Sequence, residues 1–172
     1  MNIEIAERKA RRALADYQRM RRLVLALLVG VLFAALLFGQ SLFGPDTVVH
    51  ETLEMFGVLL IFLGIVGRLW STLYIGGRKA QEGVTGGPYS ITRNPLYLFS
   101  TLAACGVGAQ MGSIVAMIGF GLLCAAAFHV VILREERFLA DAMGAPYRDY
   151  MARVPRFLPD LSLYDEGDTG SF

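Results

Sequence analysis

Residues 96–133 read LYLFSTLAACGVGAQMGSIVAMIGFGLLCAAAFHVVIL, 38 positions without one Asp, Glu, Lys or Arg. A single helix of that length would reach about 57 Å, almost twice the roughly 30 Å hydrocarbon core of a bilayer. The stretch therefore folds back on itself. Gln110, Gly112 and Ser113 interrupt the apolar residues and mark the turn, which predicts a hairpin of two helices over 96–109 and 113–133.

Two further stretches support the same class. Residues 23–45 form a second run without a charge, and residues 48–67 are apolar apart from His50, Glu51 and Glu54 at their start, leading on to Trp70 and Tyr74. The expected fold is all-α and integral to the membrane, with four transmembrane helices including the hairpin and interfacial helices at both ends. Across 172 residues, 55% are hydrophobic and 18% charged, against roughly 45 to 50% apolar in a soluble domain; a water-soluble globular protein is excluded. The net charge of +1 offers no field for a polyanion, so no nucleic-acid partner is expected.

The basic residues set the orientation. Seven of the 16 precede Leu23, four lie between Arg68 and Arg93, and five follow from Arg134, while the connections 40–49 and 110–113 hold none. Both termini and the loop with Arg78 and Lys79 are thus expected on the cytoplasmic side. The Arg-rich start is too long for a signal-peptide n-region and no small-residue cleavage site follows, so an uncleaved anchor is expected. Cys105 and Cys124 have no zinc or redox spacing and read as small apolar filler; no metal site is expected. The intramembrane glycines suit close helix packing, the string 106–112 lacks the spacing of a dinucleotide fingerprint, and His129 reads as a packing residue.

The hairpin brings two polar clusters to one membrane boundary: GGPYSITRNPLY over 86–97 enters it, and Arg134-Glu135-Glu136-Arg137 leaves it. Turn formers, an Asn-Pro corner, an arginine, two tyrosines and paired carboxylates beside an apolar bundle compose a pocket for a charged, aromatic small molecule whose partner arrives from lipid. Adjacent carboxylates at an apolar boundary are costly unless cations or donors meet them. Being adjacent on a helix, Glu135 and Glu136 point about 100° apart and should have unequal roles; which of them looks inward is left open.

Gly87-Pro88-Tyr89, Arg93-Asn94-Pro95-Leu96-Tyr97, Glu135-Glu136 after a hairpin, then Met143-Gly144 with Tyr147, Tyr150, Val154, Arg156, Phe157 and Pro159 resemble the isoprenylcysteine carboxyl methyltransferase and phospholipid methyltransferase superfamily. The likeness covers residues 81–159, about half the chain. It implies an integral-membrane enzyme that uses S-adenosylmethionine without a Rossmann fold. By the same likeness Gln81 to Val84 and Tyr89 lie along the cofactor, Asn94, Pro95 and Tyr97 form its cradle, and Glu135 and Glu136 complete it. Arg93 suits the cofactor carboxylate, the glutamates suit its cationic groups and ribose, and a tyrosine face suits the adenine; Glu135 is the nearest base for an amine or thiol acceptor. The candidate catalytic residues are accordingly Arg93 and Glu135. Many eukaryotic members carry histidine at the position of Asn94 and have additional spans, and the acceptor stays open among lipophilic carboxylates, amines and thiols.

Two other function classes compete: a membrane reductase using NADPH, which shares a hairpin and an Asn-Pro or His-Pro corner, and a noncatalytic membrane partner. The expected partners are a lipophilic small molecule or lipid substrate and membrane lipids; oligomeric state is not legible. The chain divides into a cytoplasmic amphipathic segment (1–22), a membrane methyltransferase-like domain (23–159) and an acidic tail (160–172) without expected order. Beyond Arg134 an amphipathic helix should run to Met143, break at 144–146, and resume with Tyr147, Tyr150 and Val154 on one side as an interfacial lid.

Overall fold

A computed structural model describes residues 48–76 and 85–166, with isolated positions before them. The chain divides into two units, 1–39 and 40–172, and the continuous described segments belong to the second. The expected first span (23–45), the amphipathic segment 1–22, the loop with Arg78 and Lys79, and residues 167–172 lie outside the described residues.

The described elements are all helical: α1 (Val48–Gly76), α2 (Pro88–Ile91), α3 (Pro95–Ala109), α4 (Ile114–Met143), α5 (Ala145–Arg153) and a 3-10 turn (Leu161–Leu163). Helix α1 has no proline in 29 residues, and its threonine and serine hydroxyls are absorbed locally. Thr52, Ser71 and Thr72 donate to the carbonyls four residues back at 2.7, 2.8 and 2.8 Å, which leaves no unpaired hydroxyl donor on an apolar helix. Pro88 and Pro95 each start their helices at the position where a missing N–H costs nothing.

The hairpin forms as expected. Helix α3 ends at Ala109, Gly112 takes φ 59° in the turn, and Ser113 caps α4 by accepting from the Ala116 N–H at 3.2 Å. The amphipathic helix expected from Arg134 to Met143 is present and is one element with the span: α4 runs through Leu133 to Met143, because no residue from Arg134 onward breaks a helix until Gly144. There the backbone turns at φ 68° and α5 begins.

Helix α3 lies between α1 and α4 and runs antiparallel to both. A Cβ at Gly64 would stand 2.7 Å from the Phe99 carbonyl, and one at Gly106 would stand 2.6 Å from the Gly57 carbonyl. On the other side Gly108 meets the Ala116 backbone and Gly121 meets Cys105. These small residues let backbones approach as helices do in lipid.

Helices α1 and α4 are long and apolar enough to cross a membrane, and only 17% and 28% of their most apolar windows are buried within the protein. A core helix of a soluble protein would be mostly covered, so these outward faces fit lipid. Two long spans and the 15-residue α3 are what the described residues contain of the four expected spans.

The acidic end also differs from expectation between 160 and 166. The Asp160 N–H donates to the Ile91 carbonyl at 2.9 Å, and the Gly87 N–H to the Asp165 carbonyl at 2.6 Å. The chain after α5 is thus a strap along α2 and the Asn-Pro corner, held mainly by backbone bonds that composition does not announce.

A candidate site at the Asn-Pro corner

The corner between α2 and α3 is rigid for local reasons. Pro95 keeps Asn94 out of the helical region, at φ −128° and ψ 55°. The Arg93 N–H donates to the Pro155 carbonyl at 2.9 Å, and the buried Thr92 hydroxyl donates to the Phe157 carbonyl at 3.1 Å. The strap therefore holds the corner from outside while α4 meets it from inside.

Glu136 is the centre of this meeting. It is 3% exposed, and three groups approach its carboxylate. Asn94 Nδ2 donates to Oε1 at 3.2 Å and Arg156 Nε to Oε2 at 3.0 Å, while Arg93 Nε lies 3.4 Å from Oε1 without hydrogen-bond alignment. Asn94 Nδ2 also donates to the Arg156 carbonyl at 3.0 Å. The Asn94 amide, expected to bond a cofactor, is instead engaged within the protein.

Glu135 has a different environment one position earlier. It is half-buried, and the Tyr97 hydroxyl donates to its Oε2 at 2.9 Å. The Tyr97 ring rests on Phe128 with centroids 4.8 Å apart. Tyr89 is near enough for the Glu135 charge to act on it: burial first, and that carboxylate second, push the Tyr89 phenol well above its ordinary value. Burial first, with Glu136 next, raises the Tyr147 phenol to about 12. Tyr150 is raised mainly by burial and donates its hydroxyl to the Tyr89 carbonyl at 2.7 Å. At neutral pH all three are protonated donors.

Among the described residues, two buried side-chain polar atoms lack a hydrogen-bond partner: Tyr89 Oη and Arg93 Nε. Both belong to this cluster, and buried donors left unmet are uncommon because each costs free energy. The cluster holds Arg93 and Arg156 against Glu135 and Glu136, so its formal charge is zero. A ligand with a carboxylate for the two unmet donors and a cation for Glu135 fits that donor set, and S-adenosylmethionine has both.

Of the sequence candidates, Tyr89, Arg93, Asn94, Pro95, Tyr97, Glu135 and Glu136 come together here, whereas Gln81 and Val84 lie outside the described residues. His129 stands two turns before Glu136, within about 20° of it around α4, but is exposed and does not pack as expected. Three participants had no role assigned from sequence: Thr92, Phe128 and, above all, Arg156. Its signal was an arginine between proline and an aromatic residue just after a helix end, in Val154-Pro155-Arg156-Phe157.

Comparison with known proteins adds the family. Residues 53–145 match the model of the phospholipid methyltransferase family. The chain is 41% identical over 154 residues to the cobalt-zinc-cadmium resistance protein CzcN of Cupriavidus metallidurans, covering 89% of this chain and 70% of that one. It is 38% identical to the nickel-cobalt-cadmium resistance protein NccN of Alcaligenes xylosoxydans xylosoxydans, covering 82% of this chain and 65%, just under two thirds, of that one. It is 28% identical to the protein-S-isoprenylcysteine O-methyltransferase B of Arabidopsis thaliana, covering 78% and 72%. No solved structure matches significantly.

Proposed function

The chain belongs to the phospholipid methyltransferase family, and from that premise we propose that it is a multi-pass membrane enzyme transferring a methyl group from S-adenosylmethionine to a lipophilic acceptor at the cytoplasmic face. The observation that carries the proposal is the pair of buried atoms without a hydrogen-bond partner, Tyr89 Oη and Arg93 Nε, the latter only 3.4 Å from Glu136, beside Glu135, which no described arginine pairs.

Bound S-adenosylmethionine supplies an electrophilic methyl on a sulfonium and leaves as S-adenosylhomocysteine. Arg93 and Tyr89 would hold its carboxylate. Glu135, fixed by the Tyr97 hydroxyl, would face its ammonium or take the proton of an amine or thiol acceptor. Glu136 acts through others: tied to Asn94 and Arg156, it sets where the corner and Arg93 stand. In-line methyl transfer needs alignment and exclusion of water, and both follow from the placement of the corner. The 15 residues of α3 reach about 22 Å, less than the roughly 30 Å hydrocarbon core. With the hairpin turn at one surface, the corner lies below the other, open to an acceptor from lipid, with α5 and the strap packed against it.

The reductase reading is weaker on charge. A pyrophosphate-bearing nicotinamide cofactor calls for surplus cations, and among the described residues the cluster sets two arginines against two glutamates, with no surplus. Two relatives are named for metal resistance, yet no three His, Cys, Asp or Glu side chains converge among the described residues. Under the present reading any link to metal tolerance runs through a methylated membrane component.

The test is label transfer. Protein reconstituted in nanodiscs of bacterial lipid extract is given methyl-labelled S-adenosylmethionine, and label should enter the lipid-soluble fraction with the wild type and not with Glu135→Gln. Equal label with both would remove Glu135 from the mechanism, and none with folded wild type supplied with its membrane extract would count against the activity.

A further inference from the structure

Residues 158–164, LPDLSLY, combine a pinned backbone with two exposed leucine side chains. On the inner side the strap is tied to the corner: besides the backbone bonds of Asp160 and Asp165, the Asp165 N–H donates to the Ser90 hydroxyl at 3.0 Å. On the outer side Leu158 is 77% exposed and Leu161 74% exposed. The local turn enforces that presentation, because the Asp160 carboxylate accepts from the Ser162 N–H at 3.0 Å and fixes the 3-10 turn that carries Leu161.

The position of the strap identifies what meets these leucines. The Tyr164 ring lies 6.3 Å from that of Trp70, which is 6.2 Å from Tyr74, in the last two turns of α1. Tryptophan and tyrosine at the end of a span sit at the headgroup level of a bilayer. The strap continues that aromatic belt, so its outward leucines stand at the depth where apolar side chains enter the acyl boundary.

We propose that the strap is a lipid-docked clasp: Leu158 and Leu161 insert into the bilayer interface and hold the strap, and with it Arg156, against the corner. The partner is the lipid surface itself. With Asp160, Asp165 and Glu166 on the strap, binding rests on apolar insertion and not on attraction to anionic headgroups. This inference depends on the membrane reading of α1, and the test separates the two.

Full-length protein in nanodiscs is compared as Leu161→Trp, as Phe62→Trp in the exposed middle of α1, and as wild type, whose single tryptophan, Trp70, supplies the baseline. Lipids brominated near the headgroup or deep in the chain are used as quenchers, with iodide in the water. The expected result is that the fluorescence added by Leu161→Trp is lost more to shallow than to deep bromine and little to iodide, at equal strength in zwitterionic and anionic lipid. The Phe62→Trp signal should be lost mainly to deep bromine. Quenching of the Leu161→Trp signal by iodide alone, with Phe62→Trp still quenched from lipid, would overturn the clasp and leave the membrane fold standing. Failure of both to respond to brominated lipid would overturn both.

Discussion

Glu136 and Glu135 differ by one position and by nearly everything around them. Glu136 is buried among two guanidinium groups and an amide, so removing its charge leaves two arginines facing a neutral group. Breaking a buried pair costs about 3 to 5 kcal/mol; Arg156 is 39% exposed and can rehydrate, which places Glu136→Gln near the lower end. Its melting temperature in detergent should fall clearly. Glu135→Gln should melt close to wild type but lose about 1.5 to 3 kcal/mol of cofactor affinity, the order of a charged hydrogen bond. Equal melting and equal affinity for the two variants would refute this division. The pair was legible from sequence, but its division of labour was not: Phe128, Val131 and Ile132 are all buried, so α4 covers a face too wide for helical periodicity to choose between neighbours. Tyr147 gives a pH test. Its folded pKa of about 12 lies above the ordinary 10, so its contribution is complete below pH 10 and is lost as pH rises toward 12. Thermal stability should decline over that window, and less steeply in Tyr147→Phe.

The helices were legible where apolar runs and breakers coincide. Gln110 to Ser113 marked the hairpin turn, and Gly144 the start of α5. The strap was not legible, because the bonds to Ile91, Ser90 and Gly87 that hold it use mainly backbone groups, and its acidic residues suggested disorder. At this scale the packing of α1 on α3 makes a sharp expectation. A Cβ on Gly106 would meet the Gly57 carbonyl and Ile61 nitrogen, backbone atoms that cannot swing away, so Gly106→Ala should cost about 1 to 3 kcal/mol. Gly119, also helical, has nothing within 4 Å of such a Cβ, and Gly119→Ala should be neutral or slightly stabilising, by up to about 1 kcal/mol. Thermal melts of the two variants compare them directly, and an equal loss in both would refute close α1–α3 packing.

Among the described residues, one arrangement accounts for the separate observations: α3 packed between two long apolar helices whose outward sides are apolar, and a neutral polar cluster at its Asn-Pro end with α5 and the strap against it. Cysteines introduced at Asp149 and at Lys79 should label from the cytoplasmic side only; labelling from the opposite side would reverse the topology and detach the site from the cytoplasmic cofactor pool. The most direct measurement is calorimetric titration of the solubilised full-length protein with S-adenosylhomocysteine, with NADPH and with Glu135→Gln as comparisons. The expected result is single-site binding to the wild type, at least about tenfold weaker binding to Glu135→Gln, and no binding of NADPH. Folded wild type that ignores S-adenosylhomocysteine, or binds NADPH in its place, would contradict the account.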